Sequence, residues 1–517
     1  MNRRQFLRAS ALASTGLALG ASPLTRDARP GRPAPDAVRR PHIILLMTDQ
    51  HRGDALGCAG HPAALTPHLD GIAARGVRFV NGFSSTPSCT PARAGLLTGL
   101  SPWHHGMLGY GRVARRYPFE MPQMLAALGY FGFGIGKMHW FPQRNLHGFD
   151  GTLLDESGRA EQEGFISDYR TWFKLEAPGA NPDATGIGWN EHRASVYALE
   201  ERLHPTAWTG STAVRFIENY KADKPLFLKV SFARPHSPYD PPRRYLDRVR
   251  DARVPPRLIG DWAAEFAAYP NTPDAPYGDF GEAHAAGSRR HYYASIAFID
   301  DQIGAILAAL KKKGFLDNTL VLFTSDHGDM LGDHYHWRKT CPYQGSANIP
   351  FLMQWPAAWT AGIARGTALR QPVELRDILP TFLDAAGGAV PEAMDGRSLL
   401  GLVRDPTSAW RSVIDLEHAQ IYRPGNYWGG LTDGRIKYVW FYPDGREQLF
   451  DLDKDPGETR DVARDRAYAD ALTAWRDRFA AHLAERGEGF VKDGKPAVRR
   501  ESLLYSPLFP KEEPPPK

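Results

Sequence analysis

His42-Ile43-Ile44-Leu45-Leu46-Met47-Thr48, closed by Asp49-Gln50, is the stretch from which the architecture can be read. Its apolar run is unbroken rather than alternating, the pattern of a strand buried on both faces of a largely parallel sheet. In open α/β sheets, ligands gather beyond the carboxyl ends of strands, and the Asp49-Gln50 pair sits at such an end. Working outward, Thr66-Pro67-His68-Leu69-Asp70 starts a helix to about Arg75, and Val77-Arg78-Phe79-Val80 forms a second short strand. The strands Pro225–Phe232, Leu320–Thr324 and Ile349–Met353 follow. Helices fall over Pro205–Tyr220, Tyr293–Lys313 and Leu375–Ala386. In the second of these, Ile296, Ile299, Ile303, Ile306 and Leu310 recur at three- and four-residue spacing, a core-packing stripe. The fold class is therefore α/β, with a large mixed, mostly parallel sheet sandwiched by helices. The large domain is expected over residues 41–400. A smaller C-terminal α+β subdomain with an antiparallel sheet is expected over 401–517. There, Lys437–Tyr442 and Glu447–Asp451 flank Pro443-Asp444-Gly445 as a hairpin. A last helix from about Tyr468 to Arg486 packs on it, and the tail beyond Phe509 is loose.

Length and composition agree with one large and one smaller domain: 517 residues, 42% hydrophobic and 23% charged. The N-terminus reads as an address. Asn2-Arg3-Arg4-Gln5-Phe6-Leu7-Arg8, followed by an apolar stretch from Ala9 to Ala21, resembles a twin-arginine export signal over residues 1–28. The stretch is too short to span a bilayer, and no cysteine lies near the cleavage region, so a stable membrane anchor is not indicated. The expected location is the periplasm or the exterior. Residues 29–40 read as a flexible lead-in. Arg3, Arg4, Arg8 and Arg26 against Asp27 account for three of the five net positive charges, which leaves +2 on a mature chain. No basic run is interleaved with aromatics, which excludes nucleic acid as a natural partner. Three cysteines (Cys58, Cys89, Cys341) are too few for a disulfide framework.

Ser88-Cys89-Thr90-Pro91-Ala92-Arg93-Ala94-Gly95-Leu96-Leu97-Thr98-Gly99 places a cysteine at the start of a short helix. Pro91 is harmless in a first turn. Unpaired N–H groups and Arg93 make the position attractive to anions and favour a thiolate. On these residues alone, a buried structural cysteine and an activated one are both open. The Cys-x-Pro-x-Arg pattern with Leu97-Thr98-Gly99 resembles the signature of the sulfatase family, in which this cysteine is oxidised to formylglycine. Gly129 to His139, ending Gly136-Lys137-Met138-His139, is similar to a second signature of that family, with Gly132 where threonine is common. Arg234-Pro235-His236-Ser237-Pro238-Tyr239 and Ser325-Asp326-His327-Gly328-Asp329, with Lys339 twelve residues after His327, extend the likeness. The resemblance runs from about residue 41 to about residue 460.

A sulfate monoester needs cations around the sulfuryl oxygens, a nucleophile beneath sulfur and an acid at the leaving oxygen. The resemblance implies Cys89, as hydrated formylglycine, for the nucleophile, and Arg93, Lys137 and Lys339 for fixed charge. It implies His139 as the base that releases sulfate, and His236, helped by Lys339, as the leaving-group acid. One divalent cation would be held by Asp49, Gln50, Asp326, His327 and Cys89 itself. Many sulfatases use two adjacent acids and then Asp-Asn. Here an amide stands in for one acid and an imidazole for the Asn, which softens the set, so Ca²⁺ is the first choice and Mn²⁺ the second. Two carboxylates against a divalent ion leave formal neutrality, which favours anions, including phosphorus esters. The Asp-Gln with Asp-His combination also resembles related phosphonate monoester and phosphodiester hydrolases, the alternative activity at this site.

The expected substrate is a small sulfated molecule, a sulfated carbohydrate or an aryl sulfate, and the expected partner is a formylglycine-generating maturation system. For substrate contact, the stretch His418 to Trp428 offers Tyr422, Arg423 and Trp428 around a Pro-Gly turn. It reads equally as packing between domains. A binding protein with unmodified Cys89 is the reading from another class.

Overall fold

A computed structural model describes residues 40–270 and 272–511. The export signal at 1–28 lies outside the described residues. So do the lead-in at 29–40, apart from Arg40, and the tail from residue 512. The described residues form one compact unit.

Eight strands build the main sheet: β1 (His42–Asp49), β2 (Val77–Phe79), β3 (Phe131–Gly136), β4 (Gly151–Leu154), β5 (Leu226–Pro235), β6 (Thr319–Ser325), β7 (Phe351–Gln354) and β8 (Thr367–Leu369). Their order is β4-β3-β5-β1-β6-β7-β2-β8. Only β7 runs antiparallel to its neighbours β6 and β2. The opening run is thus β1 at the centre, every residue buried. It serves both cores alternately: Ile43, Leu45 and Met47 face one layer, and Ile44 and Leu46 the other. Each such side chain contributes about 1.5–3 kcal/mol of burial, so both layers are fixed by the same strand.

One layer consists of α1 (Pro67–Ala74), α4 (Pro205–Asn219) and α5 (Glu282–Lys312). The other consists of α2 (Cys89–Thr98), α3 (Met121–Ala127), α6 (Ile378–Ala385) and α7 (Leu399–Arg404). By length and composition α5 passes for a membrane span. Ile299, Ile303, Ile306 and Leu310 are nevertheless at most 1% exposed against the sheet, and Ile296 is buried in a neighbouring cluster with Tyr239 and Leu331, which makes α5 a core helix. It begins eleven residues before the expected start at Tyr293. Its first turns bury Ala285, Ser288 and Arg289 rather than large apolar residues, so no stripe marks them.

The C-terminal sheet is antiparallel: β9 (Ile414–His418), β10 (Trp428–Thr432), β11 (Ile436–Phe441) and β12 (Arg446–Asp451). The hairpin pairs Phe441 with Arg446, and α8 (Ala469–Leu483) packs on the sheet through Trp475, Phe479 and Leu483. The boundary expected at residue 400 cuts through α7, whose Leu402 and Val403 belong to the main core.

Candidate active site

Strand register explains why distant segments meet. Thr48 pairs with Ser325 across β1 and β6, so Asp49 and Asp326 emerge side by side. On the other flank Asp49 is level with Pro235, and His236 follows it. Gly136 is level with Ser231, which brings Lys137 to the same edge. Gly136 has φ +93°, and a Cβ there would lie 2.1 Å from the Ser231 carbonyl oxygen. Glycine therefore permits the Lys137 N–H to donate to that carbonyl at 2.8 Å. Into this edge points the N-terminus of α2, whose first residue is Cys89 and whose left-handed cap is Gly99, φ +70°.

Cys89 Sγ lies 3.1 Å from Lys339 Nζ and 3.2 Å from His327 Nε2. Lys137 Nζ and Asp49 Oδ1 are each at 3.9 Å. Burial and the adjacent Asp49 push the thiol up, but Lys137, Lys339 and His327 outweigh them and bring Cys89 down to about 6. Burial also works against ionised Asp49. Lys137, His236, Lys339 and Arg93 nevertheless hold it well below the usual carboxylate range.

Asp49, Cys89, Asp326 and His327 present donor atoms that all lie within 4.8 Å of one another. His327 Nδ1–H donates to the Gly328 carbonyl at 2.9 Å, which aims Nε2 at the cluster, where its lone pair is available once that nitrogen gives up its proton. Gln50, at φ +69°, donates its backbone N–H to Asp326 Oδ1 at 3.1 Å, and its Oε1 is buried with no hydrogen-bond partner. Two carboxylates, an orphaned amide oxygen and an available imidazole nitrogen fit a divalent cation.

The Arg93 side chain is fully buried and donates to Asp326 Oδ2 (2.9 Å), Asp49 Oδ2 (3.2 Å), the Lys137 carbonyl (2.7 Å) and Ser231 Oγ (3.1 Å). It lies behind the carboxylates and orients them with four of its five N–H groups, and one Nη2–H is not taken up by these partners. Lys137 Nζ likewise pairs with Asp49 Oδ2 at 2.5 Å. Lys339 also donates to His236 Nε2 at 3.0 Å, and His236 Nδ1–H donates to the Ser237 carbonyl at 2.9 Å. Burial, with Lys339 close by, holds His236 neutral, well below the ordinary range. His139 makes no hydrogen bond to Cys89. Its Nε2 lies 3.1 Å from Glu161 Oε1 and its ring lies against the Arg159 guanidinium. Burial, then Arg159 and Lys137, keep it neutral too.

Arg159 and Trp189 went unnoticed in the sequence. They come from the polar segment 150–205, which has no periodicity and no motif to mark them. Trp189 stacks on the His236 ring, with centroids 4.0 Å apart, and Arg159 and Lys137 lie over its indole at 4.7 and 5.1 Å. The reverse holds at residues 418–428. Trp428 is fully buried in β10 and donates Nε1–H to the Thr340 carbonyl at 3.0 Å. Arg423 pairs with Glu265 at 3.2 Å and stacks on Phe266 at 4.1 Å. Packing claims Trp428, which has no surface to offer a substrate, whereas Arg423 is half-buried at the rim of this segment. Tyr422 alone of the three stays 38% exposed, under the Arg338 guanidinium at 4.9 Å. Cys58 and Cys341 are free thiols, both pushed up to about 12, chiefly by burial.

With the geometry in view, the likeness to known proteins is specific. The sulfatase family model matches residues 41–389, every strand of the main sheet included. This chain belongs to the sulfatase family. A second model, the C-terminal region of N-sulphoglucosamine sulphohydrolase, matches residues 332–485. An arylsulfatase of Clostridium perfringens is 38% identical over 88% of this sulfatase and 97% of its own length. A choline-sulfatase of Rhizobium meliloti is 31% identical over 91% of both chains. Among solved structures, a phosphonate monoester hydrolase of Agrobacterium radiobacter superposes with TM-score 0.72 at 26% identity, over 89% of this chain and all of that one.

Proposed function

We propose that this sulfatase hydrolyses sulfate monoesters of ring-bearing alcohols, aryl or carbohydrate, with formylglycine made from Cys89 by a maturation system. The observation that carries this is the buried meeting of Cys89 with Lys339, His327, Lys137 and Asp49 at one sheet edge. One hydroxyl of the aldehyde hydrate attacks sulfur and the second expels sulfate, which a serine ester could not do. Asp49, Gln50, Asp326 and His327 would hold a divalent ion, which would supply charge neutralisation and lower the proton affinity of the nucleophile. Ca²⁺ suits the oxygen donors, and the imidazole admits Mn²⁺.

The chain's own groups supply the rest. Lys339 donates towards both the nucleophile and His236, which places a protonated amine beside the departing oxygen. Lys137 holds Asp49, and Arg93 holds Asp49 and Asp326. The base role of His139 asks its ring to leave Glu161 for Cys89 in the mature protein. Trp189, flat against His236, forms a wall for a planar or pyranose leaving group. Its indole already carries Arg159 and Lys137, so a quaternary ammonium would meet two cations there. This disfavours a choline-like ester. The sequence of residues 2–21 supports export to the periplasm or beyond.

The test is turnover of 4-nitrophenyl sulfate by protein matured with a formylglycine-generating enzyme, with the mass of the Cys89 peptide measured alongside. Modified enzyme should release sulfate, Cys89→Ala should be inactive, and choline sulfate should be a poor substrate. Full activity with an unaltered thiol would refute the proposal. An aryl phosphonate rate above the aryl sulfate rate would favour the related hydrolase activity.

A further inference from the structure

The Gln50 side chain is an unusual ligand, because an amide has a right and a wrong way round. Its oxygen can coordinate a cation; its NH₂ group repels one. Nothing in Gln50 itself chooses between the two.

The choice is made by Asp329, two residues beyond His327. Asp329 Oδ2 accepts from Gln50 Nε2 at 2.6 Å and from the Tyr239 hydroxyl at 2.5 Å. Its Oδ1 accepts from the Leu331 and Arg338 N–H groups, each at 3.0 Å. A carboxylate only accepts, so the face of Gln50 towards Asp329 must be the nitrogen, and Oε1 is left buried without a partner, on a residue whose backbone N–H is bonded to Asp326. Tyr239 is itself fully buried, as is Asp329, so the arrangement is closed to solvent.

We propose that Asp329 is a positioning residue that fixes the Gln50 amide with its oxygen towards the cation. This rests on the metal-site reading above. The geometry also makes the substitution Asp329→Asn informative. The backbone N–H groups of Leu331 and Arg338 require an oxygen at the Oδ1 position, so the new NH₂ of Asn must stand where Oδ2 was. There it faces the Gln50 NH₂, and the amide must turn over and present nitrogen to the ion.

The experiment measures Ca²⁺ and Mn²⁺ affinity calorimetrically on the metal-stripped full chain. Asp329→Asn should weaken binding about 10–100-fold, the usual effect of losing a partner that orients a ligand. Tyr239→Phe, which leaves Oδ2 in place, should stay within about threefold of the parent. Gln50→Glu alone should also weaken binding although it adds a negative ligand, because the new carboxylate faces Asp329 at hydrogen-bond distance. The double variant Gln50→Glu/Asp329→Asn should recover affinity, since a carboxylate has no wrong way round and Asn can donate to it. Tighter binding by Gln50→Glu alone overturns the proposal, and this arm stands even where Asp329→Asn does not fold. Parent-like affinity in Asp329→Asn, or a double variant no tighter than Asp329→Asn, overturns it as well. Failure of the parent chain to bind either ion would instead refute the metal-site reading.

Discussion

Lys339 touches both the Cys89 sulfur and His236 Nε2, so in the proposed mechanism one ammonium would serve the nucleophile and the leaving group together. Lys339→Ala should lower kcat/KM for 4-nitrophenyl sulfate by about 10²–10³, or about 2.7–4 kcal/mol, the scale of a lost preorganised donor. Lys339→Arg should not restore it, because a planar fork cannot aim one donor at each of two atoms set for a compact ammonium. A loss below about fivefold would remove Lys339 from the reaction. Some of the residues that the sequence revealed are those that a buried strand delivers: Asp49, His236 and Asp326 follow apolar runs, whereas Cys89, Lys137 and Lys339 were named through their likeness to family motifs. Arg93 was legible in place, and the structure adds that Asp49 and Asp326 take two of its donors. Arg159 and Trp189 lie on an aperiodic segment, where nothing in residue type or spacing separates a wall of the site from a solvated loop.

Strand β5 illustrates what a buried element imposes beyond its catalytic tip. Lys229 is 4% exposed, and its amine lies over the Trp140 ring at 5.3 Å. Burial, with Arg93 nearby, brings it down to about 7 from 10.5. Below pH 7 the amine is charged in both folded and unfolded chains. Between about 7 and about 10 the unfolded chain keeps a proton that the folded one has released, so stability rises with pH across that window. The slope contributed is at most about 1.4 kcal/mol per pH unit. Urea unfolding at pH 6, 8 and 9.5 should show this rise, and Lys229→Met should flatten it while leaving the protein as stable or more stable at pH 6. An unchanged slope in the variant would show that the amine is solvated. The strand itself was legible as an apolar run; its lysine was not, because sequence alone does not say that residue 229 faces a covered layer. Edge strand β4 escaped for a related reason: Gly151–Leu154 is mostly half-buried and carries little apolar signal.

At the scale of the molecule, the C-terminal sheet is a brace for the site rather than an appendage. Trp428 Nε1 donates to the Thr340 carbonyl, and the Thr340 N–H donates to the Pro87 carbonyl at 3.0 Å, two residues before Cys89. Lys437 Nζ donates to the Pro342 carbonyl and to Gln344 and Glu458 at 2.6–2.9 Å. The Glu417 N–H reaches the Ser85 carbonyl at 2.8 Å. The segments bearing Lys339 and Cys89 are thus held from the same side by one antiparallel sheet. Thr340 keeps a φ of +75°, a conformation that a non-glycine residue adopts only when its surroundings insist on it. The sequence showed a hairpin and a helix after residue 400, but not this dependence, which arises from long-range contacts to carbonyls. Trp428→Phe keeps an aromatic ring in the core and deletes the donor to Thr340. It should cost about 1–3 kcal/mol, the penalty of leaving a buried acceptor unpaired. It should also lower kcat/KM about tenfold with little change in KM, because Lys339 loses its support while the leaving-group wall at Trp189 is untouched. If the brace is shared, urea unfolding followed by circular dichroism and by loss of activity should give coincident midpoints, shifted together in the variant. Separate transitions, with activity surviving the loss of the C-terminal sheet, would show that the site stands without it.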